Sequence, residues 1–138
     1  MSNNYVLDAW ALLAFLQGEE PAAERVRSII EKAGKGSVRL MISIVNLGEV
    51  YYRIGRTRGQ AEADEALAAL YLLPWEILPA DDETVIASAQ LKMTHTLSYA
   101  DAFAAVAART YKATLLTGDL ELIALDGEIE IEKLIRTR

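Results

Sequence analysis

Cysteine is absent from the 138 residues. Disulfides, thiolate nucleophiles and zinc–thiolate sites are therefore excluded. Histidine occurs once, as His95, so a histidine-rich metal site is excluded and any imidazole chemistry would rest on that residue alone. There are 3 prolines, with no Pro/Gly/Ser-rich linker and no repeat of solenoid period. No uncharged apolar run approaches the roughly 18 residues of a membrane span. No positive side chain precedes the first apolar run, so no secretory signal is expected and the expected location is the cytoplasm. Positive charge is also in short supply: 14 basic residues against 20 acidic ones give a net charge of −6. That sign argues against holding nucleic acid by a general basic surface. It is compatible with a site that reaches an anionic substrate through a divalent cation.

What remains is a strongly apolar chain. Hydrophobic residues make up 52% and charged residues 25%, which excludes disorder and requires a buried core. The length fits one domain over 1–138. The apolar share, with a run such as Leu67 to Leu73, exceeds what one small core covers and predicts self-association, as a homodimer. Strands are predicted over 5–7, 38–42, 75–78 and 113–116, with a last, partly exposed one where Ile129 and Ile131 alternate with Glu128, Glu130 and Glu132. Helices are predicted over 9–16, 21–33, 44–54, 60–72, 82–93 and 99–110, with Ser43, Asp81 and Ser98 as caps. Strands alternating with helices imply a parallel sheet between helical layers, a three-layer α/β/α fold. Ligands bind such sheets at the carboxyl ends of strands, beside a topological switch point.

Acids stand at those ends. Asp8 closes the first strand and Asp119 follows the fourth through Thr117-Gly118. Glu49 lies one turn into the helix after the second strand, and Asp101 is the third residue of the helix capped by Ser98. Each has an ordinary structural role open to it. Asp8 can cap a helix, Asp101 fits a Ser-x-x-Asp capping arrangement, Asp119 suits a turn, and Glu49 can pair with Arg53 at i,i+4. Glu49 is the least easily explained so, because its surroundings are apolar and Gly48 beside it weakens a helix by about 1 kcal/mol. Together the four make a stronger case than any one. Converging carboxylates repel unless a cation fills the space between them. An all-oxygen ligand set selects Mg²⁺ or Mn²⁺, and such an ion lowers the pKa of water and stabilises charge on a phosphoryl oxygen.

In order, the chain carries Val6-Leu7-Asp8-Ala9-Trp10, then Ile44-Val45-Asn46-Leu47-Gly48-Glu49-Val50. Ser98-Tyr99-Ala100-Asp101-Ala102 and Leu116-Thr117-Gly118-Asp119-Leu120-Glu121 follow. This ordered set resembles the PIN-domain family, most closely its VapC-type toxins of toxin–antitoxin pairs, over essentially the whole chain. The resemblance implies a Mg²⁺- or Mn²⁺-dependent ribonuclease on a five-stranded parallel sheet, commonly dimeric and restrained by an antitoxin protein. It makes Asp8, Glu49, Asp101 and Asp119 the acidic metal site. Thr117 matches the family's hydroxyl before the fourth acid, and Glu121 a further acid of some members, both on the substrate side. Ala9 departs from the Ser or Thr common after the first Asp.

Other residues are assigned more lightly. Arg53, Arg56 and Arg58 end the Glu49 helix, where they either balance its C-terminus or position RNA phosphates. His95, with Lys92, reads as a solvated loop residue. Trp10, Phe15, Tyr51, Tyr52, Trp75 and Phe103 read as core or interface rather than base-stacking groups. A phospho-receiver would need paired acids after the first strand and a Lys after a late one. Asp8 stands alone and Lys112 precedes its strand. An Asp-x-Asp phosphatase fails because Trp10 holds the second Asp position. The remaining alternatives are a PIN-like RNA-processing factor and a non-catalytic binding module.

Overall fold

Short β-branched and leucine-rich runs give the strands, and capped, Ala-rich stretches give the helices. The computed structural model describes residues 3–137. In chain order these are β1 (Asn4–Leu7), α1 (Ala9–Leu16), α2 (Ala22–Gly34), β2 (Arg39–Ser43), α3 (Ile44–Arg58) and α4 (Gln60–Leu70). Then come β3 (Glu76–Leu78), α5 (Asp82–Thr94), α6 (Tyr99–Thr110), β4 (Thr114–Thr117), α7 (Leu120–Ile123) and β5 (Ile131–Lys133). Helix starts are fixed by side chains: Ser43 accepts from the Val45 N–H, Asp81 from Thr84 and Ser98 from Asp101. Val38, Trp75 and Ala113 fall one residue before their strands, and Ile129 falls two before β5. A turn at Gly127, with φ at +103°, and a bond from the Ile129 N–H to the Leu125 carbonyl fold it inward before β5 begins.

The sheet is five-stranded and wholly parallel, in the order β3-β2-β1-β4-β5. Along β1, Val6 lies beside Met41 and Leu115, and Leu7 beside Ile42 and Leu116. Successive side chains point to opposite faces. Val6, Met41 and Leu115 therefore pack with α6 and the Leu122–Leu125 segment, together with Leu91 of α5. Leu7, Leu40, Ile42 and Leu116 pack against α1 to α4. The result is a three-layer α/β/α arrangement with both faces of the sheet covered. That is why the central strands read as unbroken apolar runs rather than as alternating ones.

The first two crossovers run outward from β1 on one face, and the third returns across the other face to place β4 at β1's free side. The order of strands thus reverses between β1 and β4. Both strands run the same way, so their carboxyl ends, at Asp8 and Thr117, open side by side.

Leu116 is fully buried in β4, so Leu116→Ala is expected to lower unfolding stability by about 3 kcal/mol in urea titration. Leu72 is 86% exposed, and Leu72→Ala is expected to change stability by under about 0.5 kcal/mol.

Candidate metal centre

Asp8 is the innermost acid. It follows β1 directly, is buried, and starts α1 by accepting the Ala11 N–H at 2.8 Å on Oδ1. Its other oxygen accepts the hydroxyl of Thr117, the last residue of β4. The Thr117 hydroxyl oxygen in turn accepts the Asp119 N–H at 3.0 Å. Thr117 is fully buried, so it ties two acids together across the switch point and does not face substrate as the sequence suggested. Asp119 starts α7, its Oδ1 accepting the N–H groups of Glu121 and Leu122 at 2.9 and 3.3 Å. Between Thr117 and Asp119 sits Gly118, where an added Cβ would collide with the Trp10 indole. The Arg136 guanidinium lies over that indole, 4.9 Å from the ring centroid. The Trp10–Gly118 contact spans most of the chain, and no local sequence signal announces it.

Asp101 sits in the first turn of α6, its backbone N–H on the Ser98 hydroxyl at 3.1 Å. One carboxylate oxygen from each of Asp101, Asp119 and Glu121 lies within 4.8 Å of the others. This differs from the set expected from the sequence. Glu121, read there as a substrate-side residue, joins the tight group, while Asp8 and Glu49 stand outside it. The reason is the turn into α7, which brings Glu121 round beside Asp119. Glu49 lies on α3 with its side chain only 14% exposed and its Oε2 paired with Arg53 at 3.0 Å. Its Oε1 is buried with no hydrogen-bond partner. Gly48 beside it is exposed and an added Cβ would touch nothing, so no protein neighbour accounts for that glycine.

The five acids are linked by charge. Burial raises the Asp8 carboxyl from its ordinary value to about 7, against the pull of its bonds from Thr117 and Ala11, and the charges of Asp101 and Asp119 add to the rise. Burial likewise raises Asp101 to about 6; Asp119, Glu49 and Glu121 push it further up, and the Ser98 hydroxyl restrains it. The protein has gathered carboxylates and left one buried Glu49 oxygen unpartnered, and among the described residues the ion pair these acids make is that of Glu49 with Arg53. This all-oxygen, electron-rich group suits a hard divalent cation.

The remaining candidates lie apart from this group. Arg53, Arg56 and Arg58 line a groove of about 660 Å³ with Leu13, Leu16 and Ile54. Arg58 pairs with Glu62 at 3.7 Å, and Arg56 lies over the Tyr52 ring at 5.2 Å. His95, expected as a solvated loop residue, follows α5 directly and is half-buried. It caps the end of α5, with Nδ1 on the Leu91 carbonyl at 3.2 Å and Nε2 on the Glu128 carboxylate at 3.1 Å. Trp10, Phe15, Trp75 and Phe103 pack in or against the core, whereas Tyr52 is exposed.

The raised Asp8 pKa fixes the sign of a pH effect. Between the unfolded value of 3.8 and the folded value of about 7, the native state binds more protons than the unfolded one, so stability falls as pH rises through that window. The metal-free protein is expected to melt several degrees lower at about pH 8 than at about pH 5, and Asp8→Asn is expected to flatten that slope. Calorimetry of both proteins across the range checks it.

The family model of the PIN domain matches residues 5–128. No curated protein sequence matches the chain. Among solved structures, the chain is similar to the Mycobacterium tuberculosis toxin VapC20, described as cleaving the sarcin–ricin loop. The TM-score is 0.72 at 17% identity, over 96% of this chain and 99% of that one. It is similar to VapBC2 of Rickettsia felis bound to a promoter DNA fragment, with a TM-score of 0.71 at 14% identity over 96% and 99%. It is also similar to FitAcB of Neisseria gonorrhoeae, at 0.67 and 17% over 92% and 95%. These likenesses establish a shared fold. With the family match spanning most of its length and the acids standing at the switch point of its parallel sheet, the chain belongs to the PIN domain family.

Proposed function

We propose that this chain is an endoribonuclease that works with Mg²⁺ or Mn²⁺, and the toxin of a toxin–antitoxin pair. The observation that carries the reading is the Asp101–Asp119–Glu121 oxygen group at the β1–β4 switch point, with Asp8 and Glu49 coupled to it by charge. Asp101, Asp119 and Glu121 would hold the ion, with Asp8 beneath them. A divalent cation there supplies positive charge against the phosphoryl oxygens and lowers the pKa of water. The chain's own groups do the rest. Asp8, fixed by Thr117 and Ala11, sets the floor of the site. Glu49 offers Oε1, its unpartnered oxygen, to orient water or accept its proton. Arg56, stacked on Tyr52, and Arg53 at the mouth of the groove present guanidinium groups to RNA phosphates.

The same groove suits an antitoxin. Leu13, Leu16 and Ile54 give it apolar footing, and Arg53 on its wall pairs with Glu49. A partner lying there could extend a basic side chain among the carboxylates, replacing the cation's charge. Self-association as a homodimer has a candidate face on α5, where Ile86 and Met93, two turns apart, are 58% and 80% exposed. Residence in the cytoplasm accords with the reading, since RNA and an antitoxin would both be met there.

Incubating the protein with total cellular RNA is expected to give discrete cleavage products with Mg²⁺ or Mn²⁺ and none after chelation. Asp101→Asn is expected to lower cleavage at least about 100-fold while the metal-free melting temperature stays level or rises, because one repelling charge is gone. Cleavage that persists in Asp101→Asn overturns the site. Intact RNA with the wild-type protein favours a binding module.

Expressed alone, the chain is expected to arrest growth, and Asp119→Asn is expected not to. Harmless expression of a protein that still cleaves RNA would favour an RNA-processing role over a toxin. Counting colonies after induction checks this.

A further inference from the structure

Asn46 is wholly buried on α3, three residues before Glu49. Its Nδ2 donates to the Ala100 carbonyl at 3.0 Å, the peptide group just ahead of Asp101. One side chain on Glu49's helix thus grips the backbone at Asp101's end of α6. The other half of the amide, Oδ1, is buried with no partner. A buried acceptor left unsatisfied destabilises a fold, and an apolar side chain of the same shape would not carry that penalty. Stability therefore does not account for an asparagine among Ile44, Val45 and Leu47.

We infer that Asn46 is a positioning residue for the cation site, whose bond to Ala100 fixes how far Glu49 stands from Asp101. The physical need is plain. Glu49 and Asp101 repel, and they sit on two different helices, α3 and α6. Without a tie, the metal-free site relaxes outward. The cation must then draw from a smaller population of closed molecules, and its apparent affinity falls by that fraction. The inference rests on the proposed cation site, so the test must separate the two.

Mn²⁺ binding to the full chain, read from the electron paramagnetic resonance of free Mn²⁺, does so when paired with metal-free melting temperatures. Asn46→Leu is expected to melt at or above the wild-type temperature and to bind Mn²⁺ about tenfold more weakly. Asn46→Ala, which folds without filling the space, is expected to lose affinity equally despite a lower melting temperature. Ser88→Ala removes another buried, unpartnered oxygen, on α5, and is expected to leave Mn²⁺ affinity unchanged. Wild-type affinity in both Asn46 variants, within about twofold, overturns the inference and leaves the cation site standing. An equal loss in Ser88→Ala also overturns it, because the effect would then be one of general packing. A wild-type chain that binds no Mn²⁺ overturns the cation site itself.

Discussion

Three carboxylates meet at the carboxyl ends of β1 and β4, with Asp8 and Glu49 coupled to them by charge, and their mutual repulsion is the constraint around which the rest of this end of the molecule is built. Asp8 cannot move away: one oxygen is held by the first turn of α1 and the other by the Thr117 hydroxyl across the seam between the strands. Thr117 also takes the Asp119 N–H, so a single hydroxyl sets the two acids in register. The sheet order supplies the location, because the order of strands reverses between β1 and β4. Topology gathers negative charge there, and an oxygen-only donor set of that kind suits a hard cation.

Ordinary helix chemistry and site chemistry coincide here. Asp8 and Asp119 cap α1 and α7, Asp101 gives its N–H to the Ser98 cap, and Glu49 pairs with Arg53 four residues on. These are the bland roles that each residue could have filled alone. Filling them does not compete with a shared site: the Asp119 cap engages only Oδ1, and the Arg53 pair engages only Oε2 of Glu49. Capping holds the carboxylates of Asp8 and Asp119 in place without a basic partner at either among the described residues. Gly118 completes the arrangement by letting the Trp10 indole lie against the turn between Thr117 and Asp119.

Local patterns carried most of the fold. The apolar run Leu40-Met41-Ile42, the caps at Ser43, Asp81 and Ser98, and the alternation of strand and helix are all visible one segment at a time. Ile129 was misplaced because its alternation with glutamates looks like a strand, whereas a left-handed turn at Gly127 decides its path. The site was legible in its acids but not in its grouping. Glu121 joins Asp101 and Asp119 only through the turn into α7, and Thr117 proves buried because β4 is a central strand. His95 lies 33 residues from the glutamate that engages it, and Trp10 a further threefold from Gly118. Contacts of that range leave no trace in a local window.

The most direct test of the central claim, that these acids form a proton-loaded site for a divalent cation, is calorimetric titration of Mn²⁺ into metal-free protein. It should be run at about pH 6.5 in two buffers of different ionisation enthalpy. With Asp8 near 7 and Asp101 near 6, binding is predicted to release protons, so the two buffers give different apparent heats. Heats that agree between buffers, or no binding, would contradict it.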